Sequence, residues 1–146
     1  MFLAGVCDAW GMLRCLIVDD SPLFLDAARG LLEGEGVSVV GVASSAAEAL
    51  QRVGELAPDV TLVDIQLGAE SGFELVGRLH REAGVASARM ILISTHAEAE
   101  YADLIASSPV VGFLSKSSLS AAAIRDLLDG QGDSEQAAPV SGPPGR

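Results

Sequence analysis

A doubly wound α/β domain, with helices on both faces of a five-stranded parallel sheet, is the fold class that the sequence predicts. Short aliphatic runs alternate five times with segments whose apolar residues recur at helical spacing, which is the pattern of consecutive βα units. Hydrophobic residues make up 49% of the chain but aromatic residues only 4%, so aliphatic side chains must fill the core. Such a core is typical of a parallel sheet that is buried on both faces.

The elements follow one another along the 146 residues without a long insertion. The strands are predicted at residues 13–18, 37–42, 60–63, 90–93 and 110–114. Each strand precedes a helix, and the helices are predicted to end near residues 33, 56, 82, 106 and 129. Four helices begin at residues that favour a helix amino terminus: Pro22, Ser44 or Ser45, Ser71 or Gly72, and Ser118 or Ser120. The fourth helix, which begins near Ala97, has the weakest apolar face.

The domain boundaries follow from the same pattern. Residues 12–130 are predicted to form one domain, which is an ordinary domain length. Residues 1–11 precede Met12 and the first strand, so they are interpreted as an N-terminal extension. Residues 131–146 lack a periodic apolar face and contain a Pro-Pro-Gly run, so we predict a disordered tail.

Charge and composition exclude several classes of function. The net charge of −11 argues against nucleic-acid binding by this chain and against an anionic membrane surface, because both require basic residues. No segment is long and apolar enough to span a bilayer, and the start lacks the basic region of a signal peptide. Cys7 and Cys15 form no CxxC motif or disulfide framework. A reducing, cytoplasmic location is therefore expected.

Four predicted strands end in polar residues of complementary chemistry. Asp19 and Asp20 follow the first strand, Asp64 the third, Ser94 the fourth and Lys116 the fifth. The carboxyl ends of parallel strands share one edge of the sheet, where ligands of such folds bind. Three clustered carboxylates require a cation, and Mg²⁺ prefers oxygen ligands. A hydroxyl and an ammonium group could then contact a phosphoryl group carried by Asp64.

Each of these residues also has a simpler interpretation. An aspartate at a strand end is most often a turn residue, and Asp19 and Asp20 before Ser21 and Pro22 could be a helix start. A single lysine at a strand end is usually solvated. The hypothesis of a phosphoryl site therefore depends on all of these groups meeting at one edge.

The motifs LIVDDSPLF, VTLVDIQLGAESGFEL, ILIST and GFLSK resemble those of response regulator receiver domains, which act in two-component signalling. The resemblance runs from about Leu13 to Asp129 and includes the spacing of the acidic, hydroxyl and lysine positions. It implies a flavodoxin-like, CheY-like fold with strand order 2-1-3-4-5. It also implies a chain that is not itself an enzyme.

The resemblance assigns roles to the metal and phosphoryl groups. Asp64 matches the phosphoacceptor, which receives its phosphoryl group from a sensor histidine kinase or a histidine phosphotransfer protein. Asp19 and Asp20 match the acidic pair that binds Mg²⁺ together with Asp64. The backbone carbonyl of Gln66 completes that metal site. Lys116 matches the lysine that pairs with the phosphoryl group.

A second set of positions matches the conformational switch of the family. Ser94 matches the switch hydroxyl and Phe113 the aromatic switch position on the fifth strand. Gly72 matches the glycine in the loop after the acceptor strand. Movement of Ser94 and Phe113 is expected to change the face formed by the fourth helix, the fifth strand and the fifth helix. That face could bind protein partners or form a homodimer.

Some positions depart from the commonest family pattern. Ser117 follows Lys116, where many members have a proline in a cis bond, and Gly68 stands where proline is frequent. A cis bond before a residue other than proline costs about 2.5–4 kcal/mol, so the 116–117 bond is either trans or strained. His96 and Gln66 occupy positions that tune dephosphorylation in the family.

Alternative functions remain open from the sequence. About 30 residues follow Lys116, which leaves no room for a helix-turn-helix domain, so a stand-alone receiver is preferred. The chain could also be an excised receiver of a DNA-binding regulator. A docking or dimerisation module that works without phosphorylation is disfavoured because the five site residues are retained. A phosphatase of the HAD type is disfavoured because its DxD motif is missing.

Overall fold

Five parallel strands form the central sheet of the structure, a computed structural model that describes residues 13–95 and 98–137, without the side chains of residues 98, 99 and 130–137. The strands are β1 (Arg14–Val18), β2 (Ser38–Ala43), β3 (Val60–Asp64), β4 (Met90–Ser94) and β5 (Gly112–Ser115). Their order across the sheet is β2-β1-β3-β4-β5, and each neighbouring pair is parallel. The predicted fold class and strand order are therefore confirmed.

Five α-helices connect or follow the strands: α1 (Pro22–Gly34), α2 (Ala46–Leu56), α3 (Gly72–Glu82), α4 (Ala102–Ala106) and α5 (Ala121–Ala137). Serine side chains cap four of their amino termini by accepting a backbone N–H: Ser21, Ser45, Ser71 and Ser120. Each cap satisfies one of the N–H groups that the first helical turn leaves without a partner. The structure thereby selects one residue from each pair of capping candidates in the sequence.

Alternate residues along each strand face opposite sides of the sheet, and this creates two cores. In β1, Cys15 and Ile17 pack with buried residues of α1 and α5, whereas Leu16 and Val18 pack with those of α2 and α3. Helices therefore cover both faces. Burial raises the pKa of the Cys15 thiol to about 12, so this cysteine is a core residue without thiolate chemistry.

The structure differs from the predicted elements in three places. A small antiparallel hairpin pairs Gln66–Leu67 with Glu70–Ser71 in the loop after β3. A 3₁₀ turn over Glu98–Tyr101 replaces the first part of the predicted fourth helix, which leaves α4 short. Helix α5 continues past Asp129 to Ala137.

Several predictions fall outside the part of the chain that the structure describes. The N-terminal extension, Cys7 and His96 lie there, as do residues 138–146 of the predicted tail. Helix α5 includes residues 131–137 of the predicted tail. The domain boundaries stay predictions. Within the described residues, no helix is long and apolar enough to cross a membrane.

Candidate functional site

Asp64 is the last residue of β3, at the carboxyl edge of the sheet. Strand pairing places it beside Ile93 of β4. Its side chain is 10% exposed, and its Oδ1 atom accepts a hydrogen bond of 3.3 Å from the backbone N–H of Gln66. The carboxylate is therefore largely buried, but solvent still reaches a small part of it.

Asp19 and Asp20 follow β1, the neighbour of β3. Asp19 is fully buried: its backbone N–H donates to the carbonyl of Ala43, and its Oδ1 accepts 2.8 Å from the N–H of Ser21. Asp20 is exposed. One carboxylate oxygen from each of Asp19, Asp20 and Asp64 lies within 4.8 Å of the others. The three acids predicted from the sequence thus meet at one point.

Lys116 reaches these acids from the loop after β5. Its Nζ atom lies 2.5 Å from Asp19 Oδ2 and donates a hydrogen bond of 3.3 Å to Asp64 Oδ2. The same ammonium group lies 4.3 Å from the centre of the Phe24 ring. Only 13% of the lysine side chain is exposed. Two buried carboxylates and an aromatic ring therefore surround one cation.

The electrostatics of this cluster favour further positive charge. Burial, followed by the charge of Asp19, raises the pKa of Asp64 to about 6, although Lys116 and the N–H of Gln66 act in the opposite direction. The two buried carboxylates, Asp19 and Asp64, therefore share the ammonium group of Lys116.

One oxygen atom of the cluster, Asp19 Oδ2, also lacks a full set of partners. Asp19 Oδ2 is buried and is in ion-pair contact with Lys116, yet it accepts no well-aligned hydrogen bond from the described residues. A buried carboxylate oxygen without such a bond is costly. A hard divalent cation would satisfy it, and carboxylate and carbonyl oxygens are the ligands such ions take. The residues present fit Mg²⁺.

The switch candidates lie on the two strands beyond β3. Ser94 ends β4, is 2% exposed and pairs in register with Ser115 of β5. Phe113 pairs with Leu92 and is half-buried against the core between the sheet and helices α2 and α3. Tyr101, just before α4, packs on the same core. Ser94 therefore shares the edge with Asp64, whereas Phe113 lies one strand farther away, against a core on which Tyr101 and Ile105 of α4 also pack.

Two glycines allow the loop after β3 to adopt its conformation close to the backbone of Asp64. A Cβ atom on Gly72 would collide with the carbonyl group of Asp64 and lie 2.9 Å from the Cα of Ile65. Only glycine fits there without moving the backbone that carries the acid. Gly68 has a φ of +62°, a value that proline cannot adopt. The departure from proline at this position therefore has a structural reason.

The loop that carries Lys116 also departs from the commonest family pattern without strain. The peptide bonds of the described residues, including that between Lys116 and Ser117, are trans. Residues Lys116–Ser118 form a 3₁₀ turn, and the Ser115 hydroxyl accepts a 3.4 Å hydrogen bond from the N–H of Ser117. The alternative of a strained cis bond does not occur.

Sequence reasoning missed two residues that support the site. Phe24 contacts Lys116, and Glu70 accepts a hydrogen bond of 2.9 Å from the N–H of Ala46, which ties the loop after β3 to the start of α2. Phe24 lies about one helical turn after the acidic pair, and this spacing was the signal in the sequence that could have placed it near the site. No local pattern pointed to the long-range contact of Glu70.

Comparisons with known proteins agree with this geometry. The family model for the response regulator receiver domain matches residues 15–129. The transcriptional regulatory protein BtsR of Salmonella typhi is 44% identical over 72 residues, which are 49% of this chain and 30% of that protein. A putative transcriptional regulator of Pseudomonas aeruginosa is 32% identical over 105 residues, 72% of this chain and 50% of its own length. The chain thus matches half or less of these relatives.

A solved structure shares the fold over most of the chain. The two-component response regulator of the LuxR family from Aurantimonas sp. SI85-9A1 has a TM-score of 0.70 and 26% identity. The similarity covers 82% of this chain and 86% of that structure.

Proposed function

This chain belongs to the response regulator receiver domain family, and we propose that Asp64 is its phosphoacceptor in a Mg²⁺-dependent reaction. The observation that carries the proposal is the meeting of Asp19, Asp20 and Asp64 within 4.8 Å of one another, with the ammonium group of Lys116 paired to Asp19 and Asp64. Such an excess of buried negative charge lowers the stability of a fold unless a cation neutralises it, and it is typical of functional sites.

Asp64 would act as the nucleophile. Its carboxylate attacks phosphorus, the bond from phosphorus to the donor atom breaks, and the donor leaves with that bonding pair. The attacking form is the ionised one, and with a pKa of about 6 most Asp64 side chains are ionised above neutral pH. Lys116 favours this form by pairing with Oδ2. Transfer requires mainly positioning and neutralisation of charge.

The metal would be held by Asp19, Asp20 and Asp64, with the backbone carbonyl of Gln66 completing the set. When bound, Mg²⁺ supplies positive charge against the oxygens of the transferring group. The buried Asp19 would turn its Oδ2 toward that cation and release Lys116 from part of its present ion pair. Lys116 could then donate to an oxygen of the new phosphoryl group instead of Asp64.

Ser94 and Phe113 are proposed to communicate the modification. Ser94 ends the strand beside β3, and its hydroxyl would move toward a phosphoryl group on Asp64. Such a movement would release space for Phe113, which is half-buried against a core shared with Tyr101. The face formed by α4, β5 and α5 would then change, and a few kcal/mol of differential contact is enough to shift such an equilibrium.

The donor is proposed to be a sensor histidine kinase or a histidine phosphotransfer protein. BtsR and the Pseudomonas protein carry names of transcriptional regulators. This chain could therefore act as the receiver portion of a DNA-binding regulator, or signal by binding another protein through the α4, β5 and α5 face. A homodimer through that face is the simplest output in either case.

Incubation with acetyl phosphate and Mg²⁺ tests the proposal, with the intact mass as the measurement. We expect the wild-type chain to gain one phosphoryl group, and to gain none when the metal is chelated. Asp64→Asn should remain unmodified. Asp59→Asn is the matched control, because Asp59 precedes the same strand at the opposite edge, and it should be modified normally. Equal modification of the wild type and Asp64→Asn would refute the proposal and leave the docking module as the better hypothesis.

A further inference from the structure

We propose that Phe24 is a positioning residue for Lys116. The face of the Phe24 ring shields the Lys116 ammonium group from water and keeps it directed at the reacting oxygens of Asp64. This inference rests on the proposed phosphoacceptor function and adds a residue to it. Phe24 touches no reacting atom in this role, because it acts only through the lysine.

The contact is direct and occurs where the cation is largely shielded from water. Lys116 Nζ lies 4.3 Å from the centre of the Phe24 ring, within the range of a cation–π interaction. With only 13% of its side chain exposed, the lysine has lost most of its hydration. The negative face of the ring therefore replaces part of the hydration that the ammonium group has lost, and it leaves the N–H groups of the lysine free to pair with the carboxylates.

The ring is also linked to the acidic site through the start of α1. The N–H of Ser21 donates 2.8 Å to Asp19 Oδ1, and the Ser21 hydroxyl accepts 3.3 Å from the N–H of Phe24. One short chain of hydrogen bonds thus fixes the buried acid and the ring together. The ammonium group sits between the two ends of that chain.

The loop that carries Lys116 gives the side chain little support of its own. The hydrogen bonds within the loop join only backbone and serine atoms and leave the ammonium group out: the Ser115 and Ser117 hydroxyls lie 2.9 Å apart, the N–H of Ser117 donates 3.4 Å to the Ser115 hydroxyl, and the N–H of Leu119 donates 3.4 Å to the carbonyl of Lys116. The serine that follows the lysine provides none of the rigidity of a proline. The position of the ammonium group therefore depends on the surfaces around it, among which Phe24 is the uncharged one.

An ordinary packing role is the competing explanation. Phe24 and its neighbour Leu25 both pack against the core between the sheet and helices α1 and α5. Phe24→Leu keeps apolar bulk but removes the ring, whereas Phe24→Tyr keeps the ring face. Leu25→Ala is the matched control, since it weakens the same core without touching the lysine.

The rate of phosphorylation by acetyl phosphate separates these roles. A cation–π contact is worth from about 0.5 kcal/mol at an exposed site to about 2 kcal/mol at a desolvated one, which corresponds to a change in rate of roughly two- to thirtyfold. We expect Phe24→Leu to lower the maximal rate by about this factor with an unchanged half-saturating donor concentration. Phe24→Tyr should restore the wild-type rate, and Leu25→Ala should keep it while lowering thermal stability. A wild-type rate in Phe24→Leu, or the same loss in Phe24→Tyr, would overturn the proposal.

A second measurement does not depend on phosphorylation. The ring current of Phe24 should shift the Lys116 ε-methylene signals in the NMR spectrum of the unmodified protein. That shift should persist in Phe24→Tyr and disappear in Phe24→Leu, and its absence from the wild type would contradict the proposed contact. If the shift is present but the wild type accepts no phosphoryl group, the proposed function fails while the contact stands; the positioning role then falls with that function.

Discussion

The two edges of the parallel sheet handle charge in opposite ways. At the amino edge, Asp59 accepts a hydrogen bond of 2.9 Å from the N–H of Arg14 and forms a 3.7 Å ion pair with Arg89. The side chains of that pair are 39% and 57% exposed, so water shares the charge. At the carboxyl edge, Asp19 and Asp64 are buried and share one lysine.

This difference separates a structural arrangement from a functional one. Exposed ion pairs contribute little to stability and tolerate substitution. Buried carboxylates in excess over their cations cost stability, and a sequence retains them where they perform chemistry. Substitutions at the two edges should therefore change the free energy of unfolding by different amounts. One substitution at the carboxyl edge should even stabilise the protein.

Removing the cation of the carboxyl edge should have the largest effect. Lys116→Met would leave Asp19 and Asp64 buried beside each other without a positive partner. We expect a loss of about 3 kcal/mol in the free energy of unfolding without Mg²⁺, measured by urea denaturation. Added Mg²⁺ should recover part of that loss, because the acids then have a cation again. An unchanged stability of the metal-free variant would contradict the account of this edge.

Removing the negative charge of Asp64 should stabilise the metal-free protein, whereas removing the lysine destabilises it. Because the folded-state pKa of Asp64 is raised from 3.8 to about 6, the native state binds a proton more readily than the unfolded state. The stability of the wild type without metal should therefore rise as the pH falls from about 7 to about 4. At pH 7.5, Asp64→Asn should be more stable by about 2 kcal/mol and should lack this part of the pH dependence. Denaturation curves at several pH values would show it, and a variant less stable than the wild type would count against it.

The smallest effect is expected at the amino edge. Asp59→Asn retains a side chain that can accept the Arg14 hydrogen bond and loses only an exposed ion pair. We expect a change of less than about 1 kcal/mol at neutral pH in the same denaturation experiment. A loss as large as that of Lys116→Met would remove the contrast between the edges.

The sequence predicted those parts of the molecule that depend on local pattern. The alternation of strands and helices placed Asp19, Asp64 and Lys116 at strand ends, and the topology of a parallel sheet brings such ends together. The continuation of α5 to Ala137 was harder to predict, because Gly130 and Gly132 are poor helix formers.

Contacts between distant segments could not be predicted in this way. The approach of Phe24 to Lys116 depends on how α1 packs against the loop after β5. The hydrogen bond from Ala46 to Glu70 depends on the hairpin in the loop after β3. Both arise from tertiary packing, which neither helical spacing nor motif spacing encodes.

Locating the phosphoryl group on the chain tests the central claim most directly. After treatment with acetyl phosphate and Mg²⁺, borohydride reduction converts an aspartyl phosphate into homoserine, which peptide mass spectrometry identifies by position. We predict homoserine at Asp64 alone, dependent on both reagents. Homoserine at Asp59 or Asp20 instead, or none at any aspartate, would contradict the assignment of the carboxyl edge as a phosphoryl site.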